Sequence, residues 1–377
     1  MRIVCAPDSF KESMTALEAA RAMAEGVRRV LPDAVCDLVP MADGGEGTVQ
    51  ALIDGLGGEL VEAPCHDPLG RDIMASYGYV ESRRLAVVEM AAASGLGLVP
   101  PEERDVLTAS SSGTGELIMD ALDRGARHFI IGVGGSATND AGSGLFTALG
   151  VRFLDMQGEE LPPGGGALQR LASIDASGLD PRLAACEIDV ACDVDNPLLG
   201  ESGATAVFGP QKGATTPDIL GQLEDGLTRW ADVVEASLHR IIRDVPGAGA
   251  GGGLGAALMA FLPQSRFRPG VEIVASTVAL QQHIDGADLV LTGEGSIDAQ
   301  TLRGKTLMGV LACARQAAVP IIMFGGRVEP EASVLLQHGV TNLVCIAVPG
   351  QPLPDALRAG PQNLATAVAT TLRTIRP

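Results

Sequence analysis

RHFIIGVGGSATNDAGSGLFTALG, residues 127–150, is the stretch from which the fold class is read. An apolar run at 128–133, with Ile130 and Ile131 at its centre, has strand character. Glycines 132, 134 and 135 follow, then Ser136, Thr138, Asn139 and Asp140. After Gly142 and Gly144, Leu-Phe-Thr-Ala-Leu begins a helix. Strand, glycine-rich turn, helix is how α/β proteins present backbone N–H groups to an anion. Asp140 would stand beside a bound phosphate as a ligand for a divalent cation. The pattern fits a ligand-free tight turn as well, and by itself the stretch leaves both readings open.

Outward from it, both ends of the chain repeat the β-loop-α pattern. A strand at 2–6 runs into Pro7-Asp8-Ser9-Phe10-Lys11, and Ser13 or Thr15 caps a helix over 16–31. A strand at 34–39 leads to Met41-Ala42-Asp43-Gly44-Gly45-Glu46-Gly47-Thr48 and a helix at 49–56. Near the other end, a strand at 287–291 precedes Thr292-Gly293-Glu294-Gly295-Ser296-Ile297-Asp298. Strands at 319–324 and 342–348 and a helix at 361–375 follow. The middle is less regular, with an antiparallel pair at 74–79 and 84–90, a strand at 188–192 and a long helix at 217–243. The expected architecture is α/β in two domains. A Rossmann- or flavodoxin-like α/β domain is split in sequence, 1–70 and 285–377, and a second α/β domain, 71–284, is inserted.

Bulk properties narrow the function. A chain of 377 residues exceeds one ordinary core. The net charge of −19 comes with no cluster of Lys and Arg, which argues against nucleic acid as a partner. An anionic substrate must then meet locally placed cations, because the field of the whole molecule repels it. Seven cysteines, an odd number without a CxxC, read as reduced thiols used as small core residues. No signal peptide and no run of 18 apolar residues is seen, so no membrane partner and a cytoplasmic location are expected.

Four further loops carry chemistry-bearing residues. Asp8, Ser9 and Lys11 converge on one strand end, with Lys11 suited to a carboxylate or phosphate. Asp43, Gly44, Gly45 and Glu46 suit close approach of a hydroxylated substrate, or form a capped turn. Asp193, Asp195 and Asn196 follow a strand, where oxygens at that spacing suit Mg²⁺, a proton acceptor or an Asx-turn. Gly293 and Glu294, with Gly304-Lys305-Thr306, suggest phosphate contact, but Ala299 stands where a P-loop needs its leading glycine. That fold is rejected and Lys305 kept. Gly247, Gly249 and Gly252 satisfy GxGxxG without a preceding strand, so a dinucleotide fingerprint is rejected too. Lys212, in GPQKGAT, reads equally as functional or structural. Loops rich in Gly, Asp, Ser and Thr with isolated lysines suit phosphoryl transfer, which depends on positioning and cations.

Six ordered blocks then carry a resemblance. DSFKES at 8–13, MADGGEGT at 41–48, GVGGSATNDAGSG at 132–144, ACDVDNPLLG at 191–200, FGPQKGAT at 208–215 and LTGEGSIDAQTLRGKT at 291–306 resemble the bacterial glycerate kinase family of the glyoxylate and glucarate type. The first block departs slightly, since DSFKGS is the commoner form. The resemblance implies ATP-dependent phosphorylation of D-glycerate with Mg²⁺, on two α/β domains with the active site in their cleft. It favours 2-phosphoglycerate as product over 3-phosphoglycerate. A kinase for another hydroxy acid such as tartronate, or a non-catalytic sugar-acid-binding protein, are the alternatives. On the resemblance, Asp193 accepts the hydroxyl proton, with Asp43 as rival, and Lys11 meets the glycerate carboxylate or a phosphoryl oxygen. Asp8, Ser9, Gly44, Gly45, Glu46 and Lys305 surround the substrate. Gly134, Gly135, Ser136, Thr138, Asn139, Gly293 and Glu294 contact ATP, and Asp195, Asp140 or Glu294 holds Mg²⁺. A homodimer is left open.

Overall fold

The computed structural model describes residues 1–45, 47–298, 301 and 305–375, with the side chains of Lys305 and Ile375 excepted. Two compact units result: Met1–Gly58 with Pro269–Pro377, and Glu59–Arg268. The first boundary thus falls at 58/59 rather than 70/71, and the second at 268/269 rather than 284/285. Strand pairing and helix packing explain both shifts. Residues 59–66 form one arm of a hairpin belonging to the inserted unit. The helices Gly270–Thr277 and Leu280–Ile284 pack on the helix Lys305–Gln316 of the discontinuous unit.

The discontinuous unit opens with β1 (Arg2–Cys5) and β2 (Val35–Leu38). Between them lies the helix Ala16–Arg28, which begins as the sequence suggests. Thr15 Oγ1 accepts the Glu18 N–H at 3.2 Å and Glu18 Oε2 accepts the Thr15 N–H at 2.8 Å, a reciprocal cap. The inserted unit carries β3 (Glu59–His66), β4 (Asp72–Val80), β5 (Leu85–Glu89), β6 (His128–Gly132), β7 (Arg152–Leu154), β8 (Ser173–Asp175), β9 (Glu187–Ala191) and β10 (Arg266–Arg268). The chain then returns to the first unit with β11 (Leu289–Ile297), β12 (Ile321–Val328) and β13 (Asn342–Cys345).

In the discontinuous unit the order is β13-β12-β11-β1-β2, every pair parallel. Numbered within the unit alone, this is the 2-1-3-4-5 order of flavodoxin-like sheets. The chain leaves β1 to one side for β2 and returns on the other side as β11, so the topological switch lies between β1 and β11. Ile3, Cys5, Leu289, Leu291, Ile322 and Phe324 bury this sheet against Met23, Val27, Leu364 and Val368 from helices. The inserted unit has a six-stranded sheet, β10-β9-β6-β5-β4-β3, parallel from β5 to β10 and antiparallel from β3 to β5. Its core includes Trp230 from the helix Pro217–Leu238 and a contact of Phe261 with Phe146, ring centroids 4.6 Å apart. That helix ends five residues before its expected limit, where His239 turns left-handed. Among the described residues no helix is long and apolar enough to cross a membrane.

Candidate active site

Ligands of open parallel sheets bind outside the carboxyl ends of the strands, at the switch point. In the discontinuous unit that place holds a pocket of about 860 Å³. Its lining includes Asp8, Ser9 and Lys11 after β1, Asp43 and Gly45 after β2, and Glu294 on β11. Backbone bonds fix these loops to the strand ends. The Asp8 N–H donates to the Gly293 carbonyl at 2.9 Å, and the Met41 N–H to the Pro7 carbonyl at 2.9 Å. Phe10 pairs with Met14 across a tight turn that carries Lys11, Glu12 and Ser13 at its tip. Glu12 stands there with φ +63°, a left-handed conformation that favours glycine. The family's commoner residue at this position is thus the one the backbone prefers.

The pocket concentrates negative charge. Glu294 is pushed up to about 7, first by burial and then by the charge of Asp8, with Asp298 and Asp43 adding and the Thr301 hydroxyl opposing. Asp8 is also raised, burial leading. Hydrogen bonds from Thr306 Oγ1 to Asp8 Oδ2 at 2.6 Å and from the Ser9 N–H to Oδ1 at 2.6 Å oppose that rise. Asp43 Oδ1 accepts the Gly45 N–H at 2.9 Å, and Thr48 Oγ1 accepts the Gly44 N–H at 3.1 Å. Among the described lining residues Lys11 is the sole cation. Gly293 lies beneath the pocket, where a Cβ would stand 2.2 Å from the Phe324 carbonyl oxygen. A side chain there would collide with the neighbouring strand, so only glycine permits this strand packing.

The inserted unit places the 127–150 stretch as β6, a turn, and the helix Ser143–Ala148. Gly134 and Gly135 are exposed at the turn, whereas Ser136, Thr138 and Asn139 are buried beneath it. The last three therefore support the turn and do not present their side chains on its open side. Asp140 is fully buried. Its carboxylate accepts the Ser111 N–H at 2.9 Å, the Ser111 hydroxyl at 2.8 Å, the Gly142 N–H at 3.1 Å and the Gly144 N–H at 3.2 Å. Burial raises its pKa, and these donors oppose the rise. With both oxygens engaged by protein donors, Asp140 organises the turn. The 247–253 segment packs tightly on this turn: Gly252, at φ +70°, would set a Cβ 2.0 Å from the Thr138 carbonyl oxygen. Asp193 and Asp195 follow β9 in this unit and are exposed.

Of the residues singled out from sequence, Asp8, Ser9, Lys11, Asp43, Gly45 and Glu294 come together in one pocket, and Gly44 lies in the same loop. Gly134, Gly135, Ser136, Thr138 and Asn139 form a separate cluster in the inserted unit. Glu46 lies outside the described residues, as does the side chain of Lys305, whose backbone opens the helix Lys305–Gln316. Sequence reasoning missed Thr301, which donates to Glu294 Oε1 at 3.2 Å, and Thr306. Thr306 carried a signal, being the last residue of the Gly-Lys-Thr triplet, while Thr301 carried none.

Mg²⁺ is ordinarily held by one or two carboxylates together with phosphate oxygens. Among the described residues no group of three or more His, Cys, Asp or Glu is placed to hold a metal. Asp8 and Glu294, both raised by burial, form a carboxylate pair that an arriving cation would relieve.

The sequence matches the glycerate kinase family over residues 3–376. A glycerate kinase of Bacillus subtilis (strain 168) is 51% identical, the alignment covering 94% of this chain and 93% of that one. A glycerate 2-kinase of Escherichia coli (strain K12) is 48% identical over 99% of this chain and 98% of its own. A crystal structure assigned to a glycerate kinase 2 from Salmonella typhimurium LT2 superposes with a TM-score of 0.92 at 47% identity, covering 100% of this chain and 98% of that one. Three of the sequence blocks meet at the pocket just described, another builds the glycine turn, and the match runs nearly end to end: this chain belongs to the glycerate kinase family.

Proposed function

We propose that the protein transfers the γ-phosphoryl group of ATP to D-glycerate, at the C2 hydroxyl. The observation that carries this reading is the convergence of DSFKES, MADGGEGT and LTGEGSID on one pocket at the switch point of a 2-1-3-4-5 sheet. The C2 assignment is supported by the relative named a glycerate 2-kinase.

In this reading Lys11 meets the glycerate carboxylate as a point charge, and the Gly44–Gly45 backbone lets the small substrate approach closely. Asp43 accepts the proton of the reacting hydroxyl as its oxygen forms the new bond to phosphorus and ADP departs. Asp193 is the alternative acceptor; pocket membership favours Asp43, which shares the lining with Lys11. The exposed Gly134–Gly135 turn receives nucleotide phosphates on its backbone, and Ser136, Thr138 and Asn139 hold that turn from below. Asp8 and Glu294 would hold Mg²⁺, which supplies charge neutralisation of the transferring phosphoryl group; Asp195 is the remaining candidate ligand.

A coupled ADP-release assay with D-glycerate, ATP and Mg²⁺, followed by ³¹P NMR of the product, tests the reading. Turnover with a C2 phosphate is expected. A folded protein that binds ATP and gives no turnover with D-glycerate rules this substrate out, and a C3 phosphate rules out the regiochemistry.

A further inference from the structure

Lys212 ends a single 3₁₀ turn, Pro210–Lys212, within FGPQKGAT, and is only 3% exposed. Its Nζ donates to Ser136 Oγ at 2.6 Å and to the Thr138 carbonyl at 2.7 Å. Both acceptors lie in the turn that follows β6, more than 70 residues away in sequence. Two of the three ammonium donors are therefore spent on one glycine-rich turn.

The surroundings make this more than a packing contact. Burying an ammonium costs several kcal/mol unless charge and hydrogen bonds compensate. Here both hydrogen-bond acceptors are neutral, and the anion that acts on Lys212 is Asp140, whose own oxygens are occupied by Ser111, Gly142 and Gly144. Burial accordingly pulls the lysine down to about 7, with Asp140 opposing. Thr138 Oγ1 and Asn139 Oδ1 are buried beside it without a hydrogen-bond partner among the described residues. A neutral side chain would tie the turn down at lower cost. An anion arriving on the open side of the turn, at Gly134 and Gly135, favours the charged form of the lysine beneath it.

We infer that Lys212 is the positioning residue of the nucleotide turn: it fixes Ser136 and the Thr138 carbonyl from below and carries its positive charge under the Gly134–Gly135 backbone when a polyphosphate arrives there. The inference rests on the proposed placement of ATP at that turn.

The test is isothermal titration calorimetry with ATP and Mg²⁺ on the full chain, wild type against Lys212→Met, with thermal midpoints and separate KM values for ATP and D-glycerate. Methionine keeps most of the stem and removes the charge and both bonds. ATP binding about ten-fold or more weaker is expected, the scale of one lost charge-assisted hydrogen bond. KM for D-glycerate stays within about two-fold, and the thermal midpoint shifts little, because losing a buried ammonium offsets the Ser136 hydroxyl and Thr138 carbonyl left without its bonds. ATP binding within about two-fold of wild type overturns the inference, as does an equal loss in both KM values. Should Lys212→Met fail to fold, Ser136→Ala removes one acceptor alone, and the same selective loss toward ATP is required. Wild-type protein that does not bind ATP overturns the nucleotide reading itself, whereas tight wild-type binding with an unchanged variant overturns only the role of Lys212.

Discussion

Replacing Glu294 by Gln tests the electrostatic account of the pocket. Glu294 is held at about 7 against an ordinary glutamate value of 4.5, burial being the first cause and the charge of Asp8 the second. A carboxyl whose folded pKa is raised costs stability once it ionises. Below pH 4.5 it is protonated in both states and costs nothing. Between 4.5 and 7 the folded state holds a proton that the unfolded state has released, so stability falls as pH rises. Above 7 the full cost is present: (7 − 4.5) × 1.36 is about 3 kcal/mol. Gln keeps the amide oxygen that accepts from the Thr301 hydroxyl and removes the charge. In EDTA, Glu294→Gln is therefore expected to exceed wild type by about 3 kcal/mol at pH 8 and by under about 1 kcal/mol at pH 5. At about 2–4 °C per kcal/mol for a domain of this size, the gap in thermal midpoint at pH 8 is about 6–12 °C. Thermal unfolding followed by circular dichroism at the two pH values reads it. A gap that is the same at pH 5 and pH 8, or a wild type more stable than the variant at pH 8, refutes the reasoning.

Three other expectations follow from single residues. Lys11→Ala lowers turnover by about ten-fold or more if the proposed contact with the substrate holds, and leaves the thermal midpoint within about 2 °C, because an exposed side chain contributes little to stability; normal turnover removes Lys11 from the site. Glu12→Gly relieves a left-handed residue at about 1–2 kcal/mol but frees the unfolded chain by about 0.5–1 kcal/mol, so a net gain of up to about 1.5 kcal/mol is expected; a clear loss in chemical denaturation contradicts the turn geometry. Gly252→Ala forces a Cβ to 2.0 Å from the Thr138 carbonyl oxygen at φ +70°, so a loss of about 2 kcal/mol or more is expected, and a thermal midpoint equal to wild type disproves the close approach.

The local elements were legible because their causes are local. Apolar runs with β-branched centres became strands, and of the two cap candidates, Ser13 and Thr15, Thr15 caps the helix. The end of the first apolar run placed Asp8, and glycines at 44, 45, 293 and 295 marked the loops of Asp43 and Glu294, where an open α/β sheet holds its ligands. The six motif blocks are each contiguous in sequence and so mark the family without reference to any tertiary contact.

The sequence by itself thus determined the class of fold, the loops that matter and the family. Tertiary structure decided what depends on pairing between distant residues. Thr292 Oγ1 donates to the Ala6 carbonyl across 286 residues, and that β1–β11 neighbourhood creates the switch point. The hairpin of β3 with β4 moved the first domain boundary, because an edge strand is assigned to a unit by its partner rather than by its composition. Loop side chains have no periodicity to show which way they face. Only the fold therefore decided that Ser136, Thr138 and Asn139 lie under the turn, that Asp140 spends its oxygens on the backbone, and that Lys212 reaches them from another loop. Desolvation likewise has no local signature: the rise of Glu294 toward neutrality comes from burial and from carboxylates that are neighbours only in the folded chain.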